Sequence, residues 1–273
     1  MRDKIESVEF YNGISIPILG FGVYNLKEKE EFENAVNFAL RIGYRHFDTA
    51  SVYGNESMLG NVVKNSGLNR NEVFVTTKLW KLDFGFKSAI KAFDLSLMKL
   101  NMEYVDLYIV HWPQKEKLVE TWAALEYLYS IGKVKAIGVS NFSINNLDYL
   151  MNNCSIKPMV NQIEHHPFLQ QNELMNYCFN NKIKIVAHSP LMWGNIANNG
   201  VFKNIAIKYN KTIAQIVLRW NIQKGIPVIP KSSKTVRIVE NSEIFDFSLD
   251  EKDLKFIDGL DKNCRIGGIP TTF

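Results

Sequence analysis

VDLYIVHWPQKEKLVETWAALEYLYSIGKVKAIGVS, residues 105–140, contains one complete structural repeat. VDLYIV (105–110) and AIGVS (136–140) are short, apolar, β-branched runs of strand length. Between them, VETWAALEYLYSIG (119–132) places Trp122, Leu125, Leu128 and Tyr129 on one helical face and ends at the C-capping Gly132. Strand, amphipathic helix, strand is the unit of a parallel sheet.

The same alternation continues in both directions. Further strand-sized runs are ILGFGV (18–23), YRHF (44–47), VFVTT (73–77), PMVNQ (158–162), IKIVA (183–187) and IPVIP (226–230). EEFENAVNFALR (30–41) puts Phe32, Val36, Ala39 and Leu40 on one face. Eight such units without a linker or composition break predict an α/β fold: one (β/α)8 TIM barrel, a single domain over residues 1–273. VEFYNGISIPI (8–18) predicts an N-terminal β-hairpin around Asn12-Gly13, a two-residue turn signal.

The residues that close these runs are Asp48, Lys78, His111, Asn141, Gln162, His188 and Lys231, all polar. A parallel barrel gathers its C-terminal strand ends on one face, where active sites form. A ring of seven polar strand ends therefore predicts a functional face.

Asp48, Tyr53, Lys78 and His111 would be neighbours on that face. A tyrosine is a poor acid or base near neutral pH, but an adjacent ammonium favours its phenolate, and a carboxylate keeps that ammonium charged. Tyr53 would then donate a proton, with His111 hydrogen-bonded to a substrate carbonyl. On these residues alone, a buried Asp–Lys ion pair beside a core tyrosine is the other reading.

GYRHFDTASVYGNE (43–56) closely resembles a motif of the aldo-keto reductases. VTTKLW (75–80), DLYIVHWP (106–113), IGVSNF (137–142), NQIEHHP (161–167), HSPL (188–191) and IPKSSKTVRIVEN (229–241) also resemble that family's motifs, in its order, from about residue 8 to the end. The resemblance implies a (β/α)8 barrel and NADPH-dependent reduction of carbonyl compounds. It makes Tyr53 the proton donor, Lys78 and Asp48 its tuning pair, and His111 the orienter of the carbonyl.

The cofactor region reads differently from a Rossmann fold. Gly20-Phe-Gly22-Val23-Tyr-Asn25 lacks the third glycine, and no acidic residue follows in the required βαβ context. Tyr129-x-x-x-Lys133 sits at a helix end and reads as a cap. Lys231, Ser232, Ser233 and Arg237 instead crowd the turn after the eighth run, where a helix start would favour an anion. By resemblance, Lys231, Ser232 and Arg237 hold the 2′-phosphate of NADPH, and Glu240 and Asn241 contact the adenine. Ser140, Asn141 and Gln162 would hold the nicotinamide carboxamide, and Ser189 and Leu191 the pyrophosphate. Gly22 and Val23 complete the expected cofactor contacts, although Val23 stands where the family often has a threonine. His188 replaces the usual stacking aromatic, so NADPH binding is expected to weaken below pH about 6 as the imidazole protonates.

Tyr24, Trp80 and Trp112 follow the first, third and fourth runs and predict an apolar pocket around the carbonyl. By resemblance these three, with His111, line the substrate site. The chain ends 13 residues past Leu260, so a short C-terminal tail is expected. Diketo-sugars, methylglyoxal, aromatic aldehydes and prostaglandin endoperoxide all remain open as substrates. No metal is expected: His165 and His166 would point to opposite faces, with no partner at zinc spacing.

Composition narrows the classes. The chain of 273 residues is 46% hydrophobic and 22% charged, too apolar for a disordered protein. Its 32 basic and 28 acidic residues leave +4, with the excess (15 against 11) in residues 137–273. That is too sparse for a nucleic-acid surface. MRDKIESVEF has no apolar signal region, and no run reaches the roughly 18 residues of a membrane span. Cys154, Cys178 and Cys264 form no disulfide framework. A cytoplasmic monomer acting on small carbonyls is expected. A partner-regulated NADPH-binding barrel with little turnover is the alternative. A glycoside hydrolase would need two facing carboxylates, for which only Asp48 and Glu164 stand at strand ends.

Overall fold

The computed structural model describes residues 6–273, apart from the side chains of residues 197 and 198. The charged start at residues 1–5 lies outside them. A hairpin of β1 (Ser7–Glu9) and β2 (Ser15–Pro17) comes first. It is followed by β3 (Phe21–Gly22), α1 (Lys29–Arg41), β4 (His46–Asp48), α2 (Glu56–Asn65), β5 (Phe74–Leu79), α3 (Phe86–Leu100) and β6 (Val105–Val110). Then come α4 (Leu118–Ser130), β7 (Val134–Ser140), α5 (Ile144–Met151), β8 (Val160–Glu164), α6 (Asn172–Asn180) and β9 (Lys184–His188). The remaining helices are α7 (Lys203–Tyr209), α8 (Ile213–Gln223), α9 (Thr235–Ser242) and α10 (Glu251–Asp258).

β3 to β9 form one parallel sheet in sequence order, with helices returning over its outer face. The opening repeat is found as expected: all of β6 is buried, and α4 turns Trp122, Leu125 and Leu128 inward before leaving through Gly132 at φ +74°. Strands buried on both faces read as continuous apolar runs, which is why period-2 alternation is absent from VDLYIV. Its one charge, Asp106, is accommodated at the other end of the barrel. It accepts from Arg70 at 2.7 Å and from the Val75 N–H at 2.9 Å, with Lys135 at 3.1 Å.

Two expectations are modified. The eighth run, 226–230, forms no extended ladder. Pro227 and Pro230 have no N–H to give, so closure rests on Val228 and its neighbours. Val228 N–H reaches Ile18 O (2.9 Å), Gly20 N–H reaches Val228 O (2.8 Å), and Ala187 N–H reaches Pro227 O (2.7 Å). The barrel is closed by these bonds, with seven strands in its regular sheet. The hairpin turn has three residues, Tyr11–Gly13, because Phe10 and Ile14 still pair (Phe10 N–H to Ile14 O, 2.8 Å).

The main core fills the barrel and the layer beneath α1 to α6. A second cluster, including Phe168, Phe202, Trp220, Leu249 and Ile257, seats α8 and α10. Among the described residues no helix is long and apolar enough to cross a membrane.

Candidate active site

The four acid–base candidates meet at the barrel mouth. Asp48 ends β4, Lys78 lies near the end of β5, and His111 follows β6. Tyr53 closes a single 3₁₀ turn, Ser51–Tyr53, pinned by Ser51 Oγ donating to Lys78 O (3.0 Å). Lys78 is fully buried; its ammonium donates to Asp48 Oδ1 and to Thr49 O (2.8 Å) and lies 5.1 Å from the Tyr53 ring centroid. The other Asp48 oxygen accepts from Gln162 Nε2 at 2.7 Å. The His111 ring packs against Tyr53 (5.6 Å between centroids), Trp80 (5.4 Å) and Trp112 (6.5 Å).

The electrostatics correct one expectation. Burial, then the charge of Asp48 and the neighbouring Tyr24, push the Tyr53 phenol well above its ordinary value; Lys78 does not turn it into a phenolate. The Lys78 ammonium is itself disfavoured by burial and held by Asp48. Tyr53 therefore keeps its phenolic proton near neutral pH. Burial, Lys78 and His188 drive His111 well below the ordinary histidine value, so its imidazole is neutral and donates through one nitrogen. His111 Nδ1 is buried with no hydrogen-bond partner among the described residues.

Sequence reasoning missed the residue that places Tyr53. Asn55 is buried and accepts from Thr49 Oγ1 (2.6 Å), while its amide donates to Val23 O (2.9 Å) and Leu26 O (3.3 Å). It fastens the β4 turn to the loop after β3. In the sequence Asn55 stood inside the GYRHFDTASVYGNE motif (43–56) without a role of its own.

The expected carboxamide residues also come together. Ser140 Oγ donates to Gln162 O (2.9 Å), and Asn141 Nδ2 donates to His111 O and Ser140 Oγ (both 3.1 Å). Asn141 Oδ1 must then accept, so His188 Nε2 carries a proton toward it (2.9 Å) while Nδ1 accepts from Ser189 Oγ (3.1 Å). This changes the titration expected of His188. Its ring edge is committed to Asn141 and Ser189, and burial lowers it to about 4, so it stays neutral at pH 6. Gly22 passes so close to the last run that a Cβ would lie 2.9 Å from Ile229 O. Val23 is buried, and its N–H donates to Asp48 O (3.0 Å).

The basic corner lies at the start of α9. Ser232 Oγ accepts from the Lys234 N–H (3.1 Å), while Lys231, Lys234 and Arg237 extend into solvent without an ion pair among the described residues. Beside this helix start is a groove of about 450 Å³, lined by Asn34, Phe38 and Arg41 of α1 and by Ser233–Val236. Arg41 adds a cation that sequence reasoning did not assign to this corner. Asn241 is buried and Glu240 half-buried on the next turn; Ser189 (φ +52°) and Leu191 begin the loop after β9. Buried amides and a hydroxyl at the mouth, together with a cationic helix start, suit a phosphorylated nicotinamide dinucleotide.

Tyr24 is exposed and lies 5.0 Å from the Tyr53 ring; Trp80 and Trp112 are half-buried around His111. No metal-binding group occurs among the described residues. His165 stacks on Trp220 and bonds Asn221 Oδ1 (2.8 Å), whereas His166 Nε2 turns the other way to Glu164 Oε1 (3.0 Å). Glu164 is engaged by the C-terminal segment, and Asp48 by Lys78 and Gln162.

Comparison with known proteins identifies the family. The family model described as the aldo/keto reductase family matches residues 18–262. A glyoxal reductase of Bacillus subtilis is 46% identical over 265 residues, covering 97% of this chain and 96% of its own. The 9,11-endoperoxide prostaglandin H2 reductase of Trypanosoma cruzi is 47% identical over 276 residues, covering 100% and 98%. Among solved structures, an aldo-keto reductase of Bombyx mori in complex with NADP superposes with a TM-score of 0.91 at 32% identity, covering 97% and 96%.

Proposed function

The chain belongs to the aldo/keto reductase family and is an NADP-dependent oxidoreductase of aldehydes and ketones; on that premise we propose that Tyr53, Lys78, Asp48 and His111 carry its acid–base chemistry. The observation that supports this most directly is the buried Asp48–Lys78 pair lying under a protonated tyrosine at the mouth of the barrel. We further propose that residues 1–273 form one domain acting as a cytoplasmic monomer. Its substrates, on this reading, are small aldehydes and 1,2-dicarbonyls such as glyoxal.

Bound NADPH supplies the hydride to the carbonyl carbon. Ser140, Asn141 and Gln162 would orient its carboxamide, while Ser189, Leu191, Gly22 and Val23 would lie along its length. Lys231, Ser232, Ser233 and Arg237 would take the 2′-phosphate, with Glu240 and Asn241 at the adenine. Neutral His111 donates a hydrogen bond to the substrate oxygen, and Tyr24, Trp80 and Trp112 confine the carbonyl. As that oxygen gains charge, Tyr53 gives it the phenolic proton, and the Lys78 ammonium stabilises the phenolate left behind. The partly buried tyrosine then regains a proton from solvent.

Tyr53→Phe tests the assignment. Turnover of an aromatic aldehyde with NADPH should fall by roughly 10²–10⁴-fold, with NADPH affinity kept. Near-wild-type turnover in a folded variant would falsify the proton-donor role.

A further inference from the structure

The segment after α10 folds back over the barrel mouth. Lys262 and Cys264 give their N–H groups to Phe168 O at 3.2 and 2.8 Å. The Ile266 and Gly267 N–H groups then reach the two oxygens of Glu164, at 2.7 and 2.8 Å. Glu164 is the last residue of β8 and is completely buried. His166 Nε2 adds a third bond at 3.0 Å, and the Arg265 guanidinium lies 3.8 Å away. Burial pushes the Glu164 carboxyl up, but the bonds from His166, Ile266 and Gly267 outweigh it and hold the group below the usual range.

A buried carboxylate is costly unless donors surround it. The ladder of β8 is complete without the Glu164 side chain, and the acid–base chemistry does not use it. What it does hold is the tail. A Cβ at Gly267 would lie 2.7 Å from Glu164 Oε2, so the backbone at this point is fitted to the carboxylate. A Cβ at Gly268 would lie 2.9 Å from the Trp112 ring, so the same segment is seated against the indole of the mouth.

We propose that Glu164 is a positioning residue for substrate selection: by holding Ile266 and Gly267 it fixes the tail against Trp112 as a wall of the substrate pocket. This rests on the reading that the aromatic mouth receives the carbonyl. A side-chain amide cannot replace the carboxylate, because each of its two oxygens faces a backbone N–H, of Ile266 or of Gly267.

The test compares wild type, Glu164→Gln and Gly267→Ala; the second variant disturbs the contact from the tail side and leaves the barrel unchanged. In both variants, amide hydrogen exchange over residues 262–268 should quicken at least tenfold while β5 and β6 stay protected. KM for 4-nitrobenzaldehyde, large enough to reach the tail, should rise by roughly tenfold. KM for methylglyoxal, kcat for both substrates and the NADPH Kd should stay within about twofold. Faster exchange with both KM values unmoved, or both rising together, would overturn the proposal, as would unchanged exchange. If the wild-type protein reduces neither aldehyde, the functional reading itself fails and the selection role falls with it.

Discussion

Between pH 7 and pH 5 the protein should lose about 4 kcal/mol of folding stability through two histidines outside the proposed chemistry. His46 on β4 is fully buried, with Nε2 3.1 Å from Thr76 Oγ1 and Nδ1 unpartnered among the described residues. His165 lies flat on Trp220, ring centroids 5.1 Å apart. Burial, reinforced by Lys78, lowers His46 to about 3; burial, against the bond from Asn221, lowers His165 to about 4. Unfolded, both titrate near an ordinary value of about 6.5. The folded state therefore binds fewer protons than the unfolded one below that pH. Their contribution is complete above about 6.5 and is lost as the pH falls toward the folded values. Each ring costs about 1.4 kcal/mol per pH unit, so the roughly 1.5 units down to pH 5 cost about 2 kcal/mol per ring. Against a usual stability of roughly 5–15 kcal/mol this is a large share. Urea unfolding at pH 7, 6 and 5, followed by tryptophan fluorescence and circular dichroism, measures it; the midpoint should fall with little change in slope. His165→Gln can keep a bond to Asn221 and removes one titration, so the loss should shrink by about 2 kcal/mol. Stability that is level from pH 7 to 5, or a His165→Gln protein with the full loss, would refute the reasoning.

Asp48→Asn should destabilise the fold by about 3–5 kcal/mol, because Lys78 would stay buried without its counter-charge; unaltered urea stability would contradict a buried ion pair. Arg237→Ala should weaken NADPH by roughly tenfold and leave NADH unchanged, since only NADPH carries the 2′-phosphate. Equal losses in fluorescence titrations would place the phosphate elsewhere. With His188 lowered to about 4, affinity for NADH, which lacks the 2′-phosphate and its own titration near about pH 6, should be level from pH 5 to 8 and decline only nearer pH 4. An inflection near pH 6 would mean that the imidazole is not shielded.

The barrel and its strand-end ring were legible because both follow from period and position. Each of Asp48, Lys78, His111, Asn141 and Gln162 directly ends or follows an apolar run, and a parallel barrel converts that linear mark into a shared face. The eighth run was legible as apolar, but its two prolines determine how it pairs. Local pattern carried no trace of the Glu164 contact. Its donors, Ile266 and Gly267, are backbone groups in a stretch without periodicity, about a hundred residues away along the chain. Titration behaviour was hidden for a different reason. His188 stands where a stacking aromatic was expected, but its low value comes from burial and from neighbours on other strands, which only the folded barrel supplies.

The Tyr53 result shows which property the buried charges serve. On the proposed mechanism, both groups facing the substrate are neutral donors before a proton moves: burial raises the tyrosine and lowers the histidine. Asp48 by itself opposes the reaction, since its charge makes the phenol harder to ionise. Its favourable effect acts through Lys78, whose buried ammonium it favours. The pair therefore keeps a positive charge in place near the ring where negative charge develops, aligned in advance by Asp48 and Thr49 O so that nothing must reorganise during transfer. Gln162 extends the same arrangement: it bonds the second Asp48 oxygen and sits in the proposed carboxamide cluster, so cofactor placement and the Lys78 counter-ion share one side chain.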